Sequence, residues 1–411
     1  MELIMKKVSV IAAAVAATLA AGSAFAVDFN GYFRAGTGIS GNGESDLSVN
    51  KNGVGRLGNE NDNYYEFGFA EELKTGEQTW RVESMIAQGN SGASGWEDGD
   101  FNVAQFAVKA KGLIAADTDA TMWAGKTYYQ RKDIHITDFY YLNTSGTGGG
   151  IENLSIGDQK LSLALIQDGE DDNGAGYIFD ARLANIGLWS DASLELALAY
   201  NFATEKDDKN YDGDDGVLAT AVVHQGMSNG FNQTVFQYGT AGYGVQAANF
   251  WGAGTYYDRS GAHNDATGFR IINWGVMNLG ESWEMGHQLA YLAGSDIGGT
   301  DSDGNITGQK LDIDQYSVVV RPMYKWNDTM RTVFEAGYNA GEKIASNGME
   351  KEDFGNTKLT VAQAWAMGDS FWARPELRVY GSYITDTEND DAFGTGEDSE
   401  YVVGIQVEAW W

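Results

Sequence analysis

Charge along this chain keeps to every second residue. In "VDFNGYFRAGTGI", Val27, Phe29, Gly31, Phe33, Ala35, Thr37 and Ile39 form one set. Asp28, Asn30, Tyr32, Arg34, Gly36 and Gly38 form the other, and only this second set carries charge. A period of two is the period of a β-strand, whose successive side chains point to opposite faces. The same split sets Tyr316, Val318, Val320, Pro322, Tyr324 and Trp326 against Arg321 and Lys325. It also sets Met330, Thr332, Phe334, Ala336 and Tyr338 against Arg331 and Glu335. Roughly eighteen such segments of about 8–13 residues can be marked, joined alternately by short turns and by long acidic loops.

One face of each predicted strand therefore meets an apolar medium and the other meets water. A soluble β-sandwich adhesin would pair its apolar faces into a dry core, but this chain spends many inner positions on Arg, Lys, Glu and Gln. A closed transmembrane barrel fits better: tilted strands of about ten residues cross a bilayer. Aromatics gather at strand ends in "NYYEFGF", "KTYYQR", "DFYYLN" and "YKW", as interfacial girdles do. The texture is uniform, with no Pro-rich or Ser-rich linker, so residues 27–411 read as a single all-β, antiparallel domain.

Residues 1–26 read differently. "MKKVSVIAAAVAATLAAGSAFA" has Lys6 and Lys7, then an apolar run, then small residues ending Ala24-Phe25-Ala26. That is the layout of a secretory signal peptide with an A-x-A cleavage site; a retained membrane anchor is the competing reading. Export would permit disulfides, but the chain has no Cys. A formal net charge of −31 speaks against nucleic acid as a partner, because phosphate binding needs clustered cations. It also speaks against simple adsorption on anionic lipid. The acidic loops around Asp212–Asp215 and Asp301–Asn305 faintly resemble calcium loops but lack a correctly placed bidentate Glu. They are expected to be solvated surface loops, with divalent bridges to lipopolysaccharide as an alternative. No resident metal or cofactor is expected.

Several large aromatics fall on the charged face. Tyr32 lies with Arg34. Tyr64 lies with Glu66, while Tyr65, Phe67 and Phe69 face away. Trp372 lies with Arg374, Glu376, Arg378 and Tyr380, opposite Phe371, Ala373, Pro375, Leu377 and Val379. Phe231 lies with Gln233 and Gln237. Trp410 lies with Gln406 and Glu408, opposite Tyr401, Val403, Ile405, Val407, Ala409 and Trp411. Such rings either pack beneath an inward-folded loop or form a surface for an amphipathic solute. A pyranose sugar is one: its C–H face suits an aromatic ring, at about 0.5–1.5 kcal/mol per contact, and its hydroxyl edge suits Arg and carboxylate partners. One segment, "YYQRKDIHITDFYYLNTSG", breaks the alternation and carries Arg131, Lys132, Asp133, His135 and Asp138. It is expected to be a loop folded into the lumen as a constriction. A catalytic Asp–His reading would need a nucleophile, and the chain has neither H-E-x-x-H nor G-x-S-x-G.

These residues carry a resemblance. "VDFNGYFRAG", "RLGNE" with "YYE" after it, "WAGKTYYQRKDIHITDFYY", "GIENL", "GFNQTVFQY", "RPMYKW", "GDSFWARPELRV" and the terminal "WW" resemble the maltoporin family, the maltodextrin channels of Gram-negative outer membranes. The resemblance covers residues 27–411, and "GKTYYQRKDIHITDFYY" is its most specific part. It implies a homotrimer of eighteen-stranded barrels that passes maltose and maltodextrins passively through the outer membrane, among lipid and lipopolysaccharide. It implies an aromatic "greasy slide" of Trp96, Tyr64, Tyr32, Trp410, Trp372 and Phe231, with Trp96 reaching over a neighbouring subunit's channel. Tyr140 would stand opposite the slide. Arg34, Arg56, Glu66, Arg131, Asp133, His135 and Asp138 would be polar tracks. Two departures stand out: Asn102 where members often have Arg, and Asn61 where better-known members have a loop cysteine. A general porin, a porin for another sugar such as sucrose, and a barrel enzyme remain the alternatives. Alternation meanwhile splits the terminal pair, sending Trp411 to the lipid side as an assembly signal and Trp410 to the lumen.

Overall fold

The computed structural model describes residues 27–43, 47–90, 102–250 and 257–411. The expected signal peptide, residues 1–26, lies outside the described residues. The strands run in chain order as β1 (Asp28–Ser40), β2 (Asn63–Thr75), β3 (Gln78–Asn90), β4 (Asn102–Lys111), β5 (Thr121–Thr127), β6 (Lys132–Ile134) and β7 (Phe139–Leu142). Next come β8 (Gly146–Ile156), β9 (Gln159–Glu170), β10 (Gly174–Gly187), β11 (Ala192–Glu205), β12 (Gly216–Met227), β13 (Gly230–Thr240) and β14 (Thr267–Asn278). The last are β15 (Trp283–Thr300), β16 (Ile306–Lys325), β17 (Met330–Ile344), β18 (Lys351–Ala366), β19 (Glu376–Asp386) and β20 (Ser399–Trp410). Eighteen of them form one antiparallel sheet, while β6 and β7 pair only with each other. Each wall strand bonds to the next in the wall, and β1 bonds to β20 as well as to β2, so the sheet closes on itself.

The wall is inside-out compared with a soluble protein. Leu377 is 60% exposed, whereas Arg378 beside it is 4% exposed. Phe29, Ile39, Phe106, Leu196, Phe236 and Ile405 are likewise exposed on the outer face, while Asp180, Arg182, Arg331, Glu335, Lys358 and Glu408 are buried within. Soluble folds almost never bury unpaired charges or present such a continuous apolar surface; a barrel in hydrocarbon must do the latter. The sandwich alternative is therefore excluded.

Two of the connections that turn inward instead of out frame the site. The segment 47–62 is tied to the inner wall: Leu57 N donates to Glu335 Oε1 at 2.9 Å, Lys358 Nζ to Leu57 O at 2.8 Å, and Ser382 Oγ to Gly58 O at 3.2 Å. Asn61, at the expected cysteine position, accepts a hydrogen bond from the Tyr380 hydroxyl. The alternation-breaking segment, which carries β6 and β7, packs against the inner faces of β13 to β16. Gln237 Nε2 donates to Tyr141 O at 2.9 Å, Thr137 Oγ1 to Gln288 Oε1 at 2.6 Å, and Arg321 Nη2 to Ile136 O at 2.9 Å. Its Ile134, Ile136, Phe139 and Tyr141 are buried in an apolar cluster with Val235, Ile272, Leu292 and Phe371.

Phe371 is a correction. Alternation sends it outward, but residues 367–375 form a turn rather than a strand, and period two applies only to extended backbone. Phe371 is 4% exposed, its N–H donates to Glu284 Oε2 at 2.7 Å, and its ring occupies the space that a side chain at Gly286 would need.

Trp411 faces outward at the closing seam, with ring centroids 5.3 Å from Phe29 and 6.1 Å from both Phe33 and Phe67. Trp411→Ala is expected to lower barrel stability by about 2 kcal/mol, the sum of a few partly exposed ring contacts, and to slow assembly. Urea titration in lipid vesicles measures it; an unchanged midpoint and folding rate would remove Trp411 from closure.

Candidate functional site

Closure of β1 on β20 builds the aromatic surface. The register sets Tyr32 opposite Trp410 and, on the other side of β1, opposite Glu66. Tyr32 and Tyr64 rings lie 6.1 Å apart. Trp410 and Trp372 both flank the His135 ring, at 5.5 and 5.4 Å. Phe231 stands further round the wall, in a cross-strand row with Val276 and Gly286. That row meets Phe371, the chain neighbour of Trp372. Trp96 lies outside the described residues, as does the segment 91–101 that precedes Asn102; Asn102 itself opens β4 and is exposed.

Lumen aromatics fall into two groups. Phe139, Tyr141, Trp274, Phe371 and Tyr380 are buried beneath the inward segments. Tyr32, Tyr64, Phe231 and Trp410 stay half-exposed, and Trp372 is 37% exposed. Packing beneath a loop accounts for the first group and leaves the second unexplained. Sequence reasoning missed Trp274, which is 5.1 Å from Phe231 and donates to Gln233 Oε1 at 3.1 Å. Its signal was available: Trp274 is four residues from Arg270 and so shares its inward face.

Beside the rings runs a chain of ion pairs. Arg34 grips Asp62 with two bonds of 2.8 and 2.7 Å, approaches Glu60 at 3.7 Å and Asp138 at 3.8 Å, and lies 5.1 Å over Tyr64. Arg56 donates to Glu60 at 2.6 Å and to the Tyr32 hydroxyl at 2.8 Å, and lies 3.2 Å from Glu408. Lys51 joins Glu60 to Asp138 at 2.5 and 2.6 Å. The Tyr64 hydroxyl donates to Glu66 at 2.6 Å. Arg131 is sandwiched between Tyr128 at 3.6 Å and Tyr140 at 4.7 Å, and Asp133, paired with Tyr140 across the β6–β7 hairpin, is exposed to the lumen. Alternating guanidinium and carboxylate groups can trade their mutual bonds for hydroxyls, one set donating and the other accepting. Lys51, Glu60, Asp62 and Tyr128 were missed because they sit on non-alternating segments.

Burial disfavours the Glu60 carboxylate, but Arg56, then Lys51 and Arg34, outweigh that cost and hold it at about 2. His135 is clamped between Arg56 Nη1, 3.4 Å from Nδ1, and Arg374 Nη2, 3.2 Å from Nε2. Desolvation lowers its pKa well below the usual histidine range, with Glu408 opposing and the two guanidiniums reinforcing. A neutral imidazole has one lone pair, so only one of these contacts is a hydrogen bond. The ring is thereby a fixed polar spacer between two tryptophans. No group of three or more His, Asp or Glu side chains among the described residues is arranged to hold a metal ion. Asp301, in a loop with calcium-like spacing, instead accepts from the N–H groups of Asp303 and Asn305 at 3.0 and 2.8 Å.

A closed antiparallel barrel, apolar outside and lined within by charged pairs and accessible rings, is the architecture of an outer-membrane pore. Comparison with known proteins agrees and is more specific: the chain belongs to the LamB porin family, whose profile matches residues 27–411. It is 81% identical over 417 residues to the maltoporin of Vibrio cholerae serotype O1 (strain ATCC 39541 / Classical Ogawa 395 / O395), covering 100% of both chains. It is 45% identical to the maltoporin of Photobacterium profundum, covering 94% of each, and 39% identical to that of Hahella chejuensis, covering 98% of each. Among solved structures, Pseudomonas aeruginosa OpdQ is similar in fold, with a TM-score of 0.50 at 9% identity over 94% of this chain and 99% of that one.

The depressed Glu60 value has a testable sign. Its folded pKa lies below the ordinary glutamate value of about 4.3, so its contribution is complete above that value and is lost as pH falls towards about 2. Backbone hydrogen exchange of residues 47–62, corrected for intrinsic rate, should stay protected at neutral pH and lose protection within that acid window. In Glu60→Gln the protection should already be reduced at neutral pH. Loss in the wild type well above the window would contradict the assignment.

Proposed function

We propose that the protein is an outer-membrane channel for passive, facilitated diffusion of maltose and longer maltodextrins, and that it carries out no chemistry. The carrying observation is the division of the lumen rings: Tyr64, Tyr32, Trp410, Trp372 and Phe231 keep accessible surface while their neighbours are buried. In this reading the sugar's apolar face moves from ring to ring. Arg34, Arg56, Glu66, Arg131, Asp133, His135 and Asp138 exchange hydrogen bonds with its hydroxyls. Each contact is strong enough to concentrate the solute and weak enough to release it, as conduction requires.

The inward segment bearing Tyr140 serves as the constriction, holding the sugar against the slide. The 81% identity to a protein named maltoporin supports maltodextrin over other sugars. The chain acts as a homotrimer in which Trp96 of one subunit extends the slide of another. Residues 1–26 direct export and are removed, and lipid and lipopolysaccharide surround the outer face.

Planar-bilayer conductance tests this. Maltohexaose should block ion current saturably, and sucrose much more weakly. Tyr32→Ala and Trp410→Ala should each weaken block about threefold to tenfold, the factor that one lost ring contact corresponds to, with open-channel insertion retained. Absence of block in the wild type would return the protein to the general porins; undiminished block in both variants would remove the slide as the binding surface.

A further inference from the structure

We propose a second carbohydrate site, separate from the slide, at the long-loop end of the barrel, where an incoming oligosaccharide first docks. It rests on the channel reading above. A cavity of about 500 Å³ lies between the β9–β10 hairpin and the segments 211–212 and 257–260; Asp168, Glu170, Asp171, Tyr211, Tyr257 and Arg259 are among its lining residues. The volume is in the range of small-ligand sites.

Arg259 organises it. The guanidinium lies between two tyrosine rings, 5.5 Å from Tyr211 and 4.9 Å from Tyr257. Nη2 donates to Asn201 Oδ1, and Asn201 Nδ2 donates onward to Asp168 Oδ2 at 2.5 Å. Both tyrosine hydroxyls are committed to backbone carbonyls, Tyr211 to Gly174 O and Tyr257 to Asp214 O, each at 2.7 Å. The rings are thus pinned in place. The Arg259 side chain is only 10% exposed, yet its Nη1 has no hydrogen-bond partner among the described residues; Asp215 Oδ1 stays 3.6 Å away. A buried donor without an acceptor is costly, and a ligand oxygen would relieve it.

The lining selects the ligand class. Carboxylates at Asp168, Glu170, Asp171 and Asp212 repel an anion. The arginine at the centre repels a cation, and no metal-ligating group of three converges among the described residues. A neutral polyol accepts from the guanidinium and donates to the carboxylates in one pose. The same device occurs in the lumen, where Arg131 is held between Tyr128 and Tyr140. A sugar end held at the mouth raises local concentration above the slide and speeds capture from that side only.

The test is single-channel recording with maltohexaose added to one side at a time. Arg259→Lys loses the planar fork but keeps the charge; Asp168→Asn keeps the shape but loses a carboxylate acceptor. In both, the association rate from the long-loop side should fall about fivefold, while the rate from the short-turn side and the open-channel conductance stay at wild-type values. Unchanged rates from the long-loop side in both variants overturn the site and leave the slide standing. Equal losses from both sides mean the lumen itself has changed and also overturn it. A wild type without any block fails the channel reading, and this site with it.

Discussion

Everything in this molecule depends on closing the sheet. Hydrocarbon offers no partner to a backbone N–H or C=O, so a strand edge left open there costs several kcal/mol per group. The last strand must therefore find the first. That pairing spans nearly the whole chain: the Tyr32 hydroxyl reaches Glu408 across 376 positions of sequence. The seam is also where the site lies. Tyr64, Tyr32 and Trp410 come from three adjacent strands, β2, β1 and β20. The outer side of the same seam is sealed by Trp411 against Phe29, Phe33 and Phe67.

Once the apolar face is committed to lipid, the charged face must be satisfied within. Buried ion pairs are poor stabilisers compared with apolar packing, but an unpaired buried charge is far worse. The inner wall answers with shared partners. Glu335 accepts from Arg321 at 2.6 Å, from Lys358 at 2.7 Å and from the backbone of Leu57. One carboxylate is thus shared by two cations and anchors the segment 47–62. Such multiple tethers do the work that a disulfide would do elsewhere, consistent with a chain that has no cysteine.

The interior is polar overall yet unevenly wetted. Where the segment bearing β6 and β7 packs down, rings and aliphatic side chains form an ordinary dry cluster. Where it stops short, Tyr32 and Tyr64 remain accessible beside Arg56 and Arg34, Trp410 and Trp372 beside His135, and Phe231 beside Trp274. The inward segments therefore decide which aromatics are structural and which can meet a solute. His135 belongs to both sides, since its backbone lies in the packed segment and its ring sits between Trp372 and Trp410.

By itself, the order of residues determined the barrel, the face each strand residue takes, and the split of Trp410 from Trp411. Those are consequences of period two, a local property of extended chain. The same reasoning placed Tyr32, Tyr64, Trp410 and Arg34 inward, because they lie on strands. It failed at Phe371, and it did not single out Glu60, Asp62 or Lys51, because those residues occupy turns and loops where alternation carries no information. Broken alternation already pointed the segment of β6 and β7 into the lumen; only the tertiary structure decided which wall strands it packs against, that Arg56 and Arg374 converge on one imidazole, and which rings stay uncovered. Each depends on segments that approach one another only after the barrel has closed, and contact between residues hundreds of positions apart has no period to betray it.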